Sequence, residues 1–154
     1  MRKKEREISD TESIELIISN SDVCRIAFAY NNIPYIVAMN FGYSSGENPC
    51  LYFHCANEGR KLDMMKKNNN VCFQMDTDHK IYGGDLGCDW GMRYSSIVGY
   101  GNISVVTDEI SRKTGLDCLM KHYAGDNNFT YGREILTMTT ILRLDITEMT
   151  GKKC

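Results

Sequence analysis

The sequence is short of the features that would announce a function. It carries two prolines and one tryptophan in 154 residues, and no internal repeat or low-complexity segment. No run approaches the ~20 apolar residues of a spanning helix, so a membrane is not expected as a partner. Neither sign of charge dominates: 18 Lys and Arg face 20 Asp and Glu, a net charge of −2. Such a chain offers a polyanion no global field, and nucleic acid is not expected as a partner either. The GxGxxG, Walker and GxSxG patterns are all missing, which leaves dinucleotide, nucleoside-triphosphate and serine-hydrolase readings without support. The seven cysteines, at 24, 50, 55, 72, 88, 118 and 154, form no CxxC pair, and the opening MRKKEREISD lacks the apolar core of a secretory signal. The expectation is a cytoplasmic protein with reduced thiols. No metal site is expected, because the neighbours His54 and Cys55 point to opposite faces of a strand and share one ion badly.

What is present is ordinary for one globular domain: 42% hydrophobic and 25% charged residues, enough chain to bury a core without disulfides. The domain is taken to span residues 1–154, with 1–8 as a flexible arm. Ser9 and Glu12 have capping-box spacing, and Ile14, Ile17 and Ile18 form the stripe of a helix over about 10–20. VCRIAFAY and IPYIVAMNF are strands joined through Asn31-Asn32, a turn pair that tolerates positive φ. The second of them is apolar on both faces and reads as an interior strand. GYSSGENPC reads as a loop, LYFHC as a strand, EGRKLDMMKKN as a helix with Leu62 and Met65 inward, and VCFQMD as a strand. Residues 77–92 hold four glycines and read as the longest irregular stretch. In YSSIVGYGNISVVT, Gly99 and Gly101 thin one face of a strand so that something bulky can approach. Asp108 opens a helix carrying Ile110, Leu116, Leu119, Met120 and Tyr123, and TMTTILRLDITEM closes the chain as a strand with Leu142, Leu144 and Ile146 on one side. Strands linked by hairpins and short helices, without βαβ repeats, predict a mainly β, antiparallel architecture of about six strands with a few peripheral helices, curled into a small barrel.

The segment LYFHCANEGRKLDMMKKNNNVCF holds the clearest chemical signal. A helix N-terminus already presents positive charge and free N–H donors, so Arg60 and Lys61 in its first turn are mildly unfavourable unless an anion binds there. Arg offers a bidentate fork and Lys a point charge, a pair suited to a phosphomonoester. The competing reading is that both simply face water. His54 is either a strand-end histidine satisfied by one hydrogen bond or a working group. Cys88, in the glycine-rich stretch, is a candidate reactive thiol. Trp90, which follows GCD, is either a core anchor or a surface for stacking on a ring or a partner subunit.

Four ordered stretches, IPYIVAMNFGY, LYFHCANEGRKLDMMKKNNNVCF, CDWGMRYSSIVGYGNISVV and ILRLDITEMTGKK, resemble the nitroimidazole-resistance branch of the pyridoxamine 5′-phosphate oxidase-like flavoproteins. The resemblance covers nearly the whole chain. It implies a split β-barrel homodimer holding FMN, with FAD as the other possible flavin, at the subunit interface. By that likeness Met39, Asn40 and Phe41 lie beside the isoalloxazine, His54 sits close to the flavin with Cys55 and Ala56 also among its binding residues, and Arg60 and Lys61 take the phosphate. Ser95 and Ser96 supply hydroxyls, and Gly99 leaves room beside the cofactor. His54 is the catalytic candidate, histidine being the side chain suited to exchange a proton near neutrality. The implied activity is flavin-dependent reduction of small electrophiles such as nitroimidazole-like nitroaromatics, fed by reduced nicotinamide or another donor. The alternative is a non-catalytic flavin or haem carrier or sensor on the same barrel. The residues that bind pyridoxal phosphate in true pyridoxamine phosphate oxidases are not recognisable, so the resemblance does not extend to that activity. Relatives often carry Pro where this chain has Ala38.

Overall fold

The computed structural model describes residues 4–125 and 128–154. Asn31 and Asn32, at φ of 51° and 59°, fold β2 (Cys24–Tyr30) back onto β3 (Ile33–Met39), as their tolerance of positive φ predicts. One residue later β4 (Phe41–Ser44) begins, and a loop returns it as β5 (Cys50–Ala56). The long strands β6 (Asn70–Tyr82), β7 (Gly91–Val106) and β8 (Thr139–Lys153) complete the sheet. The order is β3-β2-β6-β7-β8-β5-β4, antiparallel throughout, with β1 (Glu7–Ile8) added to β8.

That makes eight strands where about six are expected; the short β1 and β4 account for the excess. β4 takes the first residues of what reads as a loop. β1 corrects the expected arm: residues 4–6 form a 3-10 turn, Glu7 and Ile8 pair with Lys152 and Gly151, and Ile8 packs on the core. Residues 1–3 of that arm lie outside the described residues.

β3 and β4 are the two edges of the sheet, yet only Asn40 separates them in the chain. The sheet must therefore curl until its edges meet at that residue. The result is a split barrel, joined at Asn40 by the chain itself and open beyond it. β3 is thus an edge strand, not the interior strand its apolar pattern suggests. Tyr35, Val37 and Met39 face the core, while Ile36 on the opposite face is 66% exposed because no described element covers it.

The barrel interior holds Phe28, Phe41, Phe53 and Phe73, all essentially inaccessible to water, and burial of such side chains stabilises by roughly 1.5–3 kcal/mol each. α1 (Thr11–Ser19) adds Ile14, Ile17 and Ile18 to this core. Its cap is Asp10 rather than Ser9: the Ser13 N–H donates to Asp10 Oδ1 at 2.8 Å. α2 (Arg60–Lys67) adds Leu62, Met64 and Met65.

α3 (Glu109–Ala124) lies on the outside, against Tyr52 and Ile141, so closely that a Cβ on Gly115 would stand 2.8 Å from both side chains. Leu119 of the expected stripe is buried, but Ile110 is exposed. A fourth helix, α4 (Arg133–Met138), gave no clear sequence signal. Residues 77–92 are also more regular than expected. β6 continues to Tyr82 and β7 starts at Gly91, leaving only 83–90 between them, with a 3-10 turn at Gly87–Asp89. No helix among the described residues is long and apolar enough to cross a membrane.

Candidate functional site

The open part of the barrel gathers most of the residues singled out in the sequence. β5 pairs with β4 only through Phe53, whereas it pairs with β8 through Ala56. Residues 54–56 therefore have no ladder partner on the side facing β3. Continuing the Phe41–Phe53 register by one residue sets Asn40 beside His54, and both are exposed. Alternation along β5 sends Leu51, Phe53 and Cys55 inward and Tyr52 and His54 outward, to the face that also carries Ile141. The chain then crosses the split. Gly59, at φ 132°, where an L side chain would be strained, starts α2, and the Arg60 guanidinium comes to rest 4.8 Å from the ring centre of Tyr35 on β3. The site is a seam: Asn40 lies at its closed end, His54 and Ala56 on one wall, β3 on the other, and Arg60 with Lys61 at its mouth.

Electrostatics at the mouth are one-sided. No side chain caps the N-terminus of α2, and Asp63 is the only acid in its first turn. Among the described residues no carboxylate is paired with Arg60 or Lys61. Lys61 makes its charge felt at Cys55, where burial pushes the thiol up and the lysine pulls it back in part. Cys55 itself faces the core, so it is a wall of the barrel and not a surface ligand. An uncapped helix end with two cations in its first turn and no carboxylate paired to them is an environment that favours an anion.

Other expected residues lie differently. Met39 and Phe41 turn their side chains into the core, which leaves Asn40 as the outward residue of the three. The Phe41 N–H is already engaged within the chain: it donates to Tyr123 Oη at 3.1 Å, and that hydroxyl donates to Asp22 O at 2.8 Å. Ser95 and Ser96 are not brought to the seam of the same chain. They sit on β7 opposite Thr77 and Asp76, well along the β6–β7 ladder from the Asn70–Asn102 pair beside α2; Ser95 is buried and Ser96 faces outward. Gly99 makes room, but for this chain's own aromatic side chain. A Cβ there would fall 2.3 Å from Phe73 Cζ and 2.8 Å from Glu148 O, so the expected cofactor space is occupied by core.

Three contributors gave no sequence signal. Tyr35 supports Arg60 across 25 residues of chain. Asn57 fixes the crossing loop, donating from Nδ2 to Thr137 O and accepting from Thr140 Oγ1, both at 2.8 Å. Tyr123 holds the Asn40 corner from α3. Only pairing across the folded sheet brings these groups together.

Clefts among the described residues lie along α3. One of about 700 Å³ is lined by Arg112, Lys113, Asp117, Phe129, Tyr131 and Leu136 among others. Its polar groups satisfy one another: Tyr131 Oη donates to Asp117 Oδ1 at 2.8 Å, and Arg112 donates to the carbonyls of Leu136 and Thr139. Burial, then the bond to Asp117, pushes the Tyr131 phenol up to about 12. These contacts fasten the segment before β8 to α3. Among the described residues no group of three metal-ligating side chains occurs.

The profile of the pyridoxamine 5′-phosphate oxidase family matches residues 10–153. Among solved structures, a protein from Bacteroides thetaiotaomicron named for 5-nitroimidazole antibiotic resistance superposes with a TM-score of 0.82 at 32% identity, over 96% of this chain and 86% of that one. A flavocytochrome from Azotobacter vinelandii shares the fold at 14% identity, with a TM-score of 0.80 over 99% of this chain and 71% of its own. An FAD-binding protein from Mesorhizobium loti does so at 22% identity, with a TM-score of 0.69 over 97% of both chains. Among curated proteins none matches the sequence.

Proposed function

Because the chain belongs to the pyridoxamine 5′-phosphate oxidase-like family, in its nitroimidazole-resistance branch, we propose that it is a flavin-binding protein whose seam holds FMN and reduces small electrophiles. The observation that carries this reading is the uncapped start of α2, where Arg60 and Lys61 have no carboxylate to answer them. A flavin phosphate fits that donor set: backbone N–H groups, a guanidinium fork and an ammonium. FAD, with its phosphates similarly placed, is compatible with the same mouth. The free edge of β3 offers main-chain groups to the rim of a planar ring, and Asn40 offers a side-chain amide at the closed end.

A bound flavin supplies the hydride and electron transfer; the chain binds it, orients the acceptor and limits water. His54 faces outward on the wall of the seam, in position to steady or protonate a nitro group, with reduced nicotinamide as the electron source. A homodimer supplies the cover a single seam lacks. Support for it comes from the bare outer face running from Ile36 on β3 to Val98 and Tyr100 on β7, all exposed, an apolar surface of the kind that marks an interface.

Anaerobic oxidation of NADH or NADPH with a 5-nitroimidazole acceptor tests the activity. Flavin-loaded protein should turn over, and His54→Ala should keep its flavin while losing on the order of a hundredfold in rate, the usual scale for one acid–base group. Flavin-loaded protein that passes no electrons to the acceptor would overturn the reductase reading. The exposed His54 would then favour a flavin or haem carrier, detectable as a Soret band on adding haem.

A further inference from the structure

The hairpin at residues 78–93 leaves the barrel as a two-stranded ribbon. β2 meets β6 only at Cys72–Gln74, and β8 meets β7 only from Ser95 onward. The Lys80–Tyr82 and Gly91–Arg93 rungs thus pair with each other and with no other described strand. A lone ribbon of this kind is marginal in water, yet this one is braced. At its base His79 Nε2 lies 2.7 Å from Asp76 Oδ2, and its ring stacks on Tyr94 with centroids 6.2 Å apart. Farther out Arg93 sits 5.7 Å from the centre of the Tyr82 ring.

Its tip presents Trp90 in a fixed pose. The indole lies flat on Gly83, where a Cβ would fall 2.5 Å from Cε2, and its Nε1–H donates to Gly84 O at 3.0 Å. One face of the ring is packed and its polar atom is satisfied, yet the residue remains 61% exposed. Ile81, Leu86 and Met92 are exposed on the same ribbon. The arm springs from β6 and β7, with β2 and β3 between it and the seam of its own chain. It continues the bare outer face of β7.

We propose that the arm serves the seam of a second copy of this chain, with the open face of Trp90 stacked on the flavin ring held there. Charge favours the contact: the only charged residues in the tip, 83–90, are Asp85 and Asp89, while α2 beside the seam carries four cations against one acid. The exchange is reciprocal, arm to seam twice per dimer, so a two-fold axis closes it. A planar heteroaromatic is the partner that a rigid, N–H-satisfied indole face selects. The inference rests on the flavin reading of the seam, and its test separates the two.

Trp90 is the sole tryptophan, and an indole in contact with a flavin quenches the flavin's own emission. Wild-type protein loaded with FMN should be dark; Trp90→Leu should still bind FMN, about two- to tenfold more weakly, and emit. Trp90→Phe, which keeps a ring over Gly83, controls for a collapsed arm by retaining affinity close to that of the wild type. The decisive sample is a mixed dimer of a Trp90→Leu chain with an Arg60→Ala/Lys61→Ala chain, isolated by different tags. It should regain one dark flavin per two chains, because one intact seam meets one intact arm. A mixed dimer whose flavin still emits, or a flavin-loaded protein that remains monomeric, overturns the arm and leaves the flavin reading standing. A wild-type chain that takes up no flavin overturns both.

Discussion

Removing the two cations at the mouth of the seam should separate phosphate recognition from ring recognition. In the double variant Arg60→Ala/Lys61→Ala, α2 keeps Leu62, Met64 and Met65 in the core. The fold loses little beyond the Arg60–Tyr35 contact at 4.8 Å, worth about 0.5–1 kcal/mol at an exposed site. Binding should suffer more. Each charge-assisted bond to phosphate contributes roughly 1.5–3 kcal/mol, and α2 still presents its N–H groups, so FMN affinity should fall on the order of a hundredfold or more. Riboflavin has the same ring and no phosphate, and its affinity should change by less than about threefold, because nothing at the mouth addresses the ring. Equilibrium titration of flavin fluorescence with both ligands, at low and high salt, measures the difference. FMN binding by the wild type should weaken with salt and that of the variant should not. Equal losses for FMN and riboflavin would refute the assignment, since the two cations would then be shaping the site and not reading the phosphate.

Tyr123→Phe should cost about 1–3 kcal/mol in urea denaturation, because it strands the Phe41 N–H at the barrel corner without its acceptor; a change below about 0.3 kcal/mol would show that the corner holds itself. Gly99→Ala should destabilise by roughly 1–3 kcal/mol through overpacking against Phe73 and leave FMN affinity unchanged; a loss of affinity without loss of stability would return Gly99 to the cofactor site. Asp10 and Asp108 cap α1 and α3, and hydrogen bonds from Ser13 and Ser111 lower both carboxyls. Their contribution is full above the unfolded carboxylate pKa of about 3.9 and disappears as pH falls through the lowered folded values. The melting temperature should therefore drop below about pH 4, and a double Asp→Asn variant, which retains a cap, should show a shallower drop.

The fold was legible wherever local pattern and tertiary role agree. Asn31-Asn32 announce their turn, Ile14, Ile17 and Ile18 their helix face, and Leu142 and Leu144 their inward alternation. Pattern misled where tertiary context decides. β3 is apolar on both faces, which looks like a buried strand, but one of those faces is left bare by the rest of the chain. The glycine-rich stretch after Thr77 reads as irregular because glycine weakens every propensity; in the fold Gly83 and Gly91 are the flat ground on which Trp90 and Tyr82 lie. At the proposed site, Arg60 and Lys61 stand out from helix electrostatics alone, since a cation in the first turn violates a local rule. The partners of that pair could not. Tyr35, Asn57 and Tyr123 act through contacts made only when the sheet curls, and Gly99 looked like cofactor space because a sequence does not say whose side chain fills a gap.

The visible spectrum of the freshly purified protein, repeated after denaturation with chromatographic identification of what is released, bears most directly on the flavin seam. The account predicts a yellow protein that releases FMN in about one copy per chain, and an Arg60→Ala/Lys61→Ala preparation that is colourless or nearly so. A colourless wild-type protein that also fails to take up added FMN or FAD would contradict it, leaving a split barrel whose anion site answers some other ligand.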